Sequence, residues 1–75
     1  MRVKINLDTM KSVQEFVKLA TQTSSGVYLT NNDHQFVVSA KSMLGVMYSL
    51  EWSDGLWLEC DDENAYSKFK QFMED

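Results

Sequence analysis

Few side chains in this sequence could carry chemistry. There is one imidazole, His34, and one thiol, Cys60. A lone histidine has the pKa range for proton or phosphoryl transfer. His34 ends the polar run Asn31-Asn32-Asp33-His34, beside an acidic neighbour and far from any helix start. It reads as a solvated turn residue. Cys60 shares strand parity with Leu56 and Leu58, so it reads as a small core residue and not as a nucleophile. One cysteine excludes an internal disulfide and a multi-cysteine metal site, which points to a reducing compartment. The acids Asp61, Asp62 and Glu63, with Glu51 and Asp54, lack the spacing of a calcium loop and read as a solvated cap. No metal site, cofactor or catalytic constellation is expected from these residue types.

The remaining chemistry lies in hydroxyls at helix starts. In Ser39-Ala40-Lys41-Ser42-Met43-Leu44-Gly45-Val46-Met47, a capping serine precedes an apolar run. Met43, Val46 and Leu50 would form the one stripe that a short helix buries, leaving Leu44 and Met47 on a neighbouring face. Two readings follow: a docking surface with a modifiable serine at its edge, or a plain core helix with a polar start.

These residues need elements to hold them. Val3, Ile5 and Leu7 alternate with polar neighbours, the period of a half-buried strand. An N-cap at Asp8-Thr9 then opens a helix of about four turns with Met10, Val13, Phe16, Val17 and Ala20 on one stripe. Gly26 closes the hydroxyl-rich stretch after it. Val27-Tyr28-Leu29-Thr30 and Gln35-Phe36-Val37-Val38 form a hairpin around residues 31–34, since Asn and Asp tolerate the left-handed region. The helix of residues 42–50 follows, with Trp52 in an apolar slot behind it. Ser53-Asp54-Gly55 turns the chain into a strand over 56–60. Asp61-Asp62-Glu63 caps a last helix with Ala65, Phe69, Phe72 and Met73 inward. The order is β-α-β-β-α-β-α. It predicts an α+β fold with a four-stranded antiparallel sheet covered on one face by three helices.

Seventy-five residues make one domain, residues 1–75, with a thin core: about 60 % of the unfolded surface is buried at this size. Hydrophobic residues at 44 % suffice for a folded chain. A net charge of −4 argues against a nucleic-acid partner, because phosphate contacts need a basic face. No run approaches the roughly 20 apolar residues of a membrane span, and the alternating start is unlike a signal peptide. The expected setting is cytoplasmic.

The element order, with Lys41-Ser42-Met43-Leu44-Gly45-Val46-Met47, resembles the HPr family, the phosphocarrier proteins of the bacterial sugar phosphotransferase system. There the same place reads lysine, serine, two aliphatic residues, glycine, an aliphatic residue and methionine. Asp62-Glu63-Asn64-Ala65 is similar to the family's start of the last helix. The resemblance implies an open-faced β-sandwich, Ser42 as a regulatory phosphorylation site, and Met43, Leu44 and Met47 as partner-binding residues. The family's first helix opens on glycine, leucine or isoleucine, histidine, alanine or threonine, arginine, proline and alanine, and its histidine carries the phosphoryl group. Here Thr9-Met10-Lys11-Ser12 stand in that place. Thr9 takes the histidine's position and Lys11 supplies a charge near the arginine's, without its bidentate fork. The chain is similar to the catabolite-repression HPr variants, which lack the histidine and keep the serine.

The resemblance therefore implies a non-catalytic regulatory or protein-binding domain whose partners act in sugar uptake or carbon regulation. The alternatives are a phosphocarrier with an unusual acceptor such as His34 or Thr9, and a degenerate domain acting only through oligomerisation. Strand parity adds one further expectation. Tyr28, Val37 and Trp57 fall on the face the helices leave open. They form either a contact surface able to pair weakly with a second copy, or a face on which Trp57 lies flat under Lys4 or another long side chain.

Overall fold

Strand pairing sets the frame of this computed structural model, which describes residues 1–74. The elements are β1 (Val3–Ile5), α1 (Met10–Gln22), β2 (Val27–Thr30), β3 (Val37–Ser39), α2 (Met43–Ser49), β4 (Leu56–Cys60) and a last 3-10 helix (Glu63–Phe72). The sheet is antiparallel throughout, in the order β1-β4-β2-β3. The α+β expectation holds: four antiparallel strands with three helices against them, an open-faced sandwich.

Register divides the two faces. Val3, Leu58, Leu29 and Val38 lie in one row across all four strands, facing the helices. Lys4, Trp57, Thr30 and Val37 form the next row, facing away. The alternation seen in the sequence thus assigns each residue its face.

Between sheet and helices, Phe16 of α1 meets Phe69 at 5.3 Å and Phe72 edge-on at 5.4 Å. Val13, Ala20, Leu29, Val46 and Leu58 close around this aromatic centre. Met10 departs from the expected stripe. It is the first residue of α1, beyond the reach of the core, and is exposed.

The last helix departs more. The expected α-helical stripe was Ala65, Phe69, Phe72 and Met73. The observed segment is a 3-10 helix interrupted at Phe69 (φ −111°, ψ 17°). Three residues per turn aligns Tyr66, Phe69 and Phe72, all buried. Tyr66, absent from the expected stripe, accepts from the Cys60 amide at 3.0 Å and donates to the Met1 carbonyl. Met73 packs at the core margin and its neighbourhood pairs with β1: Ile5 bridges Met73, and Asn6 N–H donates to Phe72 O at 2.8 Å.

Two strand ends also move. β1 is shorter than the alternation predicted, although Leu7 beyond it is still buried. β3 begins at Val37, so Phe36 belongs to the loop before it and stacks on Trp52 at 5.9 Å with the rings 21° apart. Trp52 is consequently half-buried at the margin, with its indole N–H lacking an acceptor among the described residues.

Candidate functional site

Helix α2 starts where the sequence placed it. Ser42 is the N-cap, exposed, with its Oγ accepting from the Gly45 amide at 3.1 Å. Gly45 lets the helix lie close to β3, because a Cβ there would stand 3.3 Å from Val38 Cβ. Val46 is fully buried and Met43 packs against the core. Leu50 does not complete the stripe. The helix ends at Ser49, which is itself buried, and Leu50 is 40 % exposed in the turn beyond it. Leu44 is 81 % exposed and Met47 42 %. Of the three expected docking residues, two are open to a partner and Met43 turns inward.

At the start of α1, Thr9 is the N-cap of a reciprocal capping box. Its Oγ1 accepts from Ser12 N–H at 3.0 Å, while Ser12 Oγ accepts from Thr9 N–H at 3.1 Å. The hydroxyl at this position is engaged in holding the helix end. Lys11 is exposed beside it.

His34 is not simply solvated. It has a positive φ of 61°, the left-handed conformation of a turn. From there its Nε2 reaches across the open face of the sheet to Glu59 Oε1 on β4. Half of its side chain remains accessible. Cys60 is half-buried against the core. Burial, and then the charges of Asp61 and Asp62, push its thiol up to about 11. It is a poor nucleophile. No group of histidine, cysteine and acidic residues able to hold a metal ion occurs among the described residues.

Tyr28, Val37 and Trp57 do share the open face, as parity requires. They do not make a bare aromatic patch. Thr30, with no exposed surface, sits between Val37 and Trp57 in the same row. The Arg2 guanidinium lies 4.9 Å from the Trp57 ring centre and the Lys4 ammonium 5.3 Å, so two cations cover the indole. Arg2 is anchored there by donating to the carbonyls of Asn31 (3.0 Å) and Asn32 (2.6 Å). Tyr28 leans along the sheet to Asp61, 3.4 Å from its hydroxyl. Only Val37, 57 % exposed, stands free.

A feature that residue spacing did not expose lies at the other end of α2. The β2–β3 loop and the α2–β4 loop enclose a cleft of about 320 Å³, lined by Asn31, Asp33, Phe36, Glu51, Trp52 and Asp54 among others. Asn31, almost fully buried, ties the loops together: its Nδ2 donates to Asp33 Oδ1 at 2.8 Å and to Asp54 Oδ2 at 3.3 Å. Its Oδ1 accepts from Phe36 N–H at 2.9 Å. The sequence signal was the acids flanking two hydrophilic turns. That the turns meet is a tertiary fact.

No family model matches the sequence, and no curated protein matches it either. Solved structures do resemble the fold. The crystal structure of HPr-C-His from Thermoanaerobacter tengcongensis aligns with a TM-score of 0.70 and 26 % identity, over 95 % of this chain and 85 % of that one. A phosphocarrier protein HPr from Bacillus anthracis str. Ames aligns with a TM-score of 0.72 and 18 % identity, over 99 % and 94 % of the two chains.

Proposed function

We propose that this chain, HPr-like in motif and fold, is a docking and regulatory protein related to the bacterial sugar phosphotransferase system, and not a carrier that passes a phosphoryl group onward. The observation that carries this reading is the N-cap of α1. There the Thr9 hydroxyl accepts from Ser12 N–H, and the resemblance to the HPr family puts Thr9 at the position of that family's histidine. A phosphoramidate is a ready phosphoryl donor, whereas a threonine phosphate is a stable ester. Phosphorylating Thr9 would also disturb the capping box that stabilises the helix, an arrangement of the kind worth about 1 kcal/mol.

His34 is the rival acceptor. Its Nε2 faces Glu59, and that carboxylate would repel an incoming phosphoryl dianion. The docking surface is the exposed side of α2, with Leu44 and Met47 as apolar contacts. Ser42 lies at its edge and is accessible. A phosphate there would add about −1.5 to −2 charge beside those residues and change which partner binds. The partners would be proteins of sugar uptake or carbon regulation in a bacterial cytoplasm. Among the described residues, no helix is long and apolar enough to cross a membrane.

Incubation with the phosphohistidine donor enzyme of the system tests the first half. No acid-labile phosphate should appear, and stoichiometric phosphohistidine at His34 would overturn the reading. Incubation with an HPr serine kinase tests the second half. One phosphate should appear on Ser42, and an unmodified protein would remove the switch.

A further inference from the structure

We propose that the cleft between the β2–β3 and α2–β4 loops receives the guanidinium of an arginine presented by a protein partner. This deepens the docking reading of α2 and rests on it, adding the partner's chemistry.

The cleft combines two features that suit a planar cation. One wall is aromatic, formed by Phe36 stacked on Trp52, with Tyr48 edge-on to Trp52 at 6.1 Å. The rim is acidic, with Asp33, Glu51 and Asp54 all exposed. Asp33 and Asp54 each give one oxygen to the buried Asn31 amide, which holds them in place. Their other oxygens, and both oxygens of Glu51, have no hydrogen-bond or ion-pair partner among the described residues. The one ion pair in that set is His34 with Glu59. Arg2 approaches the same loop but donates to the Asn31 and Asn32 carbonyls, not to the rim carboxylates.

A guanidinium can lie flat on an aromatic wall while its N–H fork meets carboxylates, which an ammonium cannot do equally well. The cleft volume of about 320 Å³ has room for one such side chain.

A protein, not a free small cation, is the fitting source. Leu44 and Tyr48 lie i and i+4 on α2 and are both exposed, and Tyr48 meets Trp52, three residues past the helix end, so an apolar strip leads from α2 to the cleft. The complementary surface is a segment with apolar side chains followed by arginine. A net charge of −4 would draw a basic segment toward it.

The test is an NMR titration with a blocked pentapeptide carrying a central arginine flanked by leucines, against the same peptide with citrulline. Citrulline keeps the shape and removes the charge. The arginine peptide should bind about tenfold more tightly, with shifts centred on the Trp52 indole, Gln35 and Ser53. The preference should shrink in Glu51→Gln, a change that removes no hydrogen bond seen in the fold, and vanish in Asp33→Asn with Asp54→Asn. Equal binding of the two peptides, or shifts spread over every acidic residue, would overturn the proposal. Binding of spermidine as tight as that of the arginine peptide would overturn the assignment to a protein.

Leu44→Lys separates the two readings. Loss of both peptides equally supports docking on α2. If the citrulline peptide binds as well as the arginine one and both are lost in Leu44→Lys, the arginine cleft fails while docking survives. If neither variant nor peptide has any effect, both fail.

Discussion

Tyr66 shows how much one hydroxyl can organise. It accepts from the Cys60 amide at the end of β4 and donates a hydrogen bond to the Met1 carbonyl, tying the last helix both to the strand just before it and to the distant start of the chain. Burial pushes its phenol pKa up, since the charged form would lose water. Cys60, next to that contact, is pushed up in the same direction, mainly by burial and further by Asp61 and Asp62. A raised thiol pKa keeps the reactive thiolate scarce until the pH approaches the shifted value. A shift from 9.0 to about 11 leaves about a hundredfold less thiolate at pH 8. Alkylation by iodoacetamide should therefore be slow at pH 8 and still rise about tenfold per pH unit past pH 9, where an ordinary thiol levels off. Stopped-time mass spectrometry across pH 7–10.5 reads this directly. A plateau at pH 9 would show that Cys60 is an ordinary, solvated thiol.

At the scale of the element, the α2–β4 turn positions both the cleft and the open face. Gly55 has φ +96°, a conformation that L residues rarely adopt. A Cβ at Gly55 would also stand 3.1 Å from Lys4 Cε and 3.2 Å from Trp57 Cζ3. Backbone strain and crowding thus act together. Gly55→Ala should cost roughly 1–2 kcal/mol, lowering Tm by about 5–15 °C for a domain of this size. The Trp57 indole should shift as the Lys4 side chain is displaced. Thermal denaturation followed by circular dichroism, with the indole resonance, checks both. An unchanged Tm would mean that the loop relaxes to negative φ without penalty. The last helix shows the same dependence on local geometry, because a 3-10 spacing, and not an α-helical one, sets Tyr66, Phe69 and Phe72 on one face.

Across the whole molecule, the charges divide the surface into two kinds of polarity. On the open face, cations cover an aromatic: Arg2 and Lys4 flank Trp57, and the His34–Glu59 pair lies on the same side. At the end of α2, aromatics remain open and the surrounding charge is acidic. Self-pairing through Tyr28, Val37 and Trp57 would first have to lift both cations from the indole. The Trp57 indole resonance should therefore not move between micromolar and millimolar protein. In Arg2→Ala with Lys4→Ala it should move with concentration, because about 25 cal/mol per Å² of bared apolar area then favours pairing. A native protein whose Trp57 signal shifts on concentration would show that the cations do not protect this face.

Alternation and helical spacing were enough to place β2 and β4, the N-caps at Thr9 and Ser42, and the faces of Tyr28, Val37 and Trp57. Those features depend on a few neighbouring residues and on periods of 2 and 3.6. The motif around Ser42 made the HPr-like fold legible before any coordinate. What the tertiary structure decided is what covers what. Leu50 was spaced for the core, but α2 stops at Ser49. Trp57 pointed outward, but Lys4 of β1 and Arg2 just before that strand, far away in sequence, lie over it. The acidic turns at Asp33 and Asp54 stand 21 residues apart in sequence, and one buried asparagine joins them. Side-chain length, loop closure and the ends of helices act between segments, so no single stretch of sequence contains them.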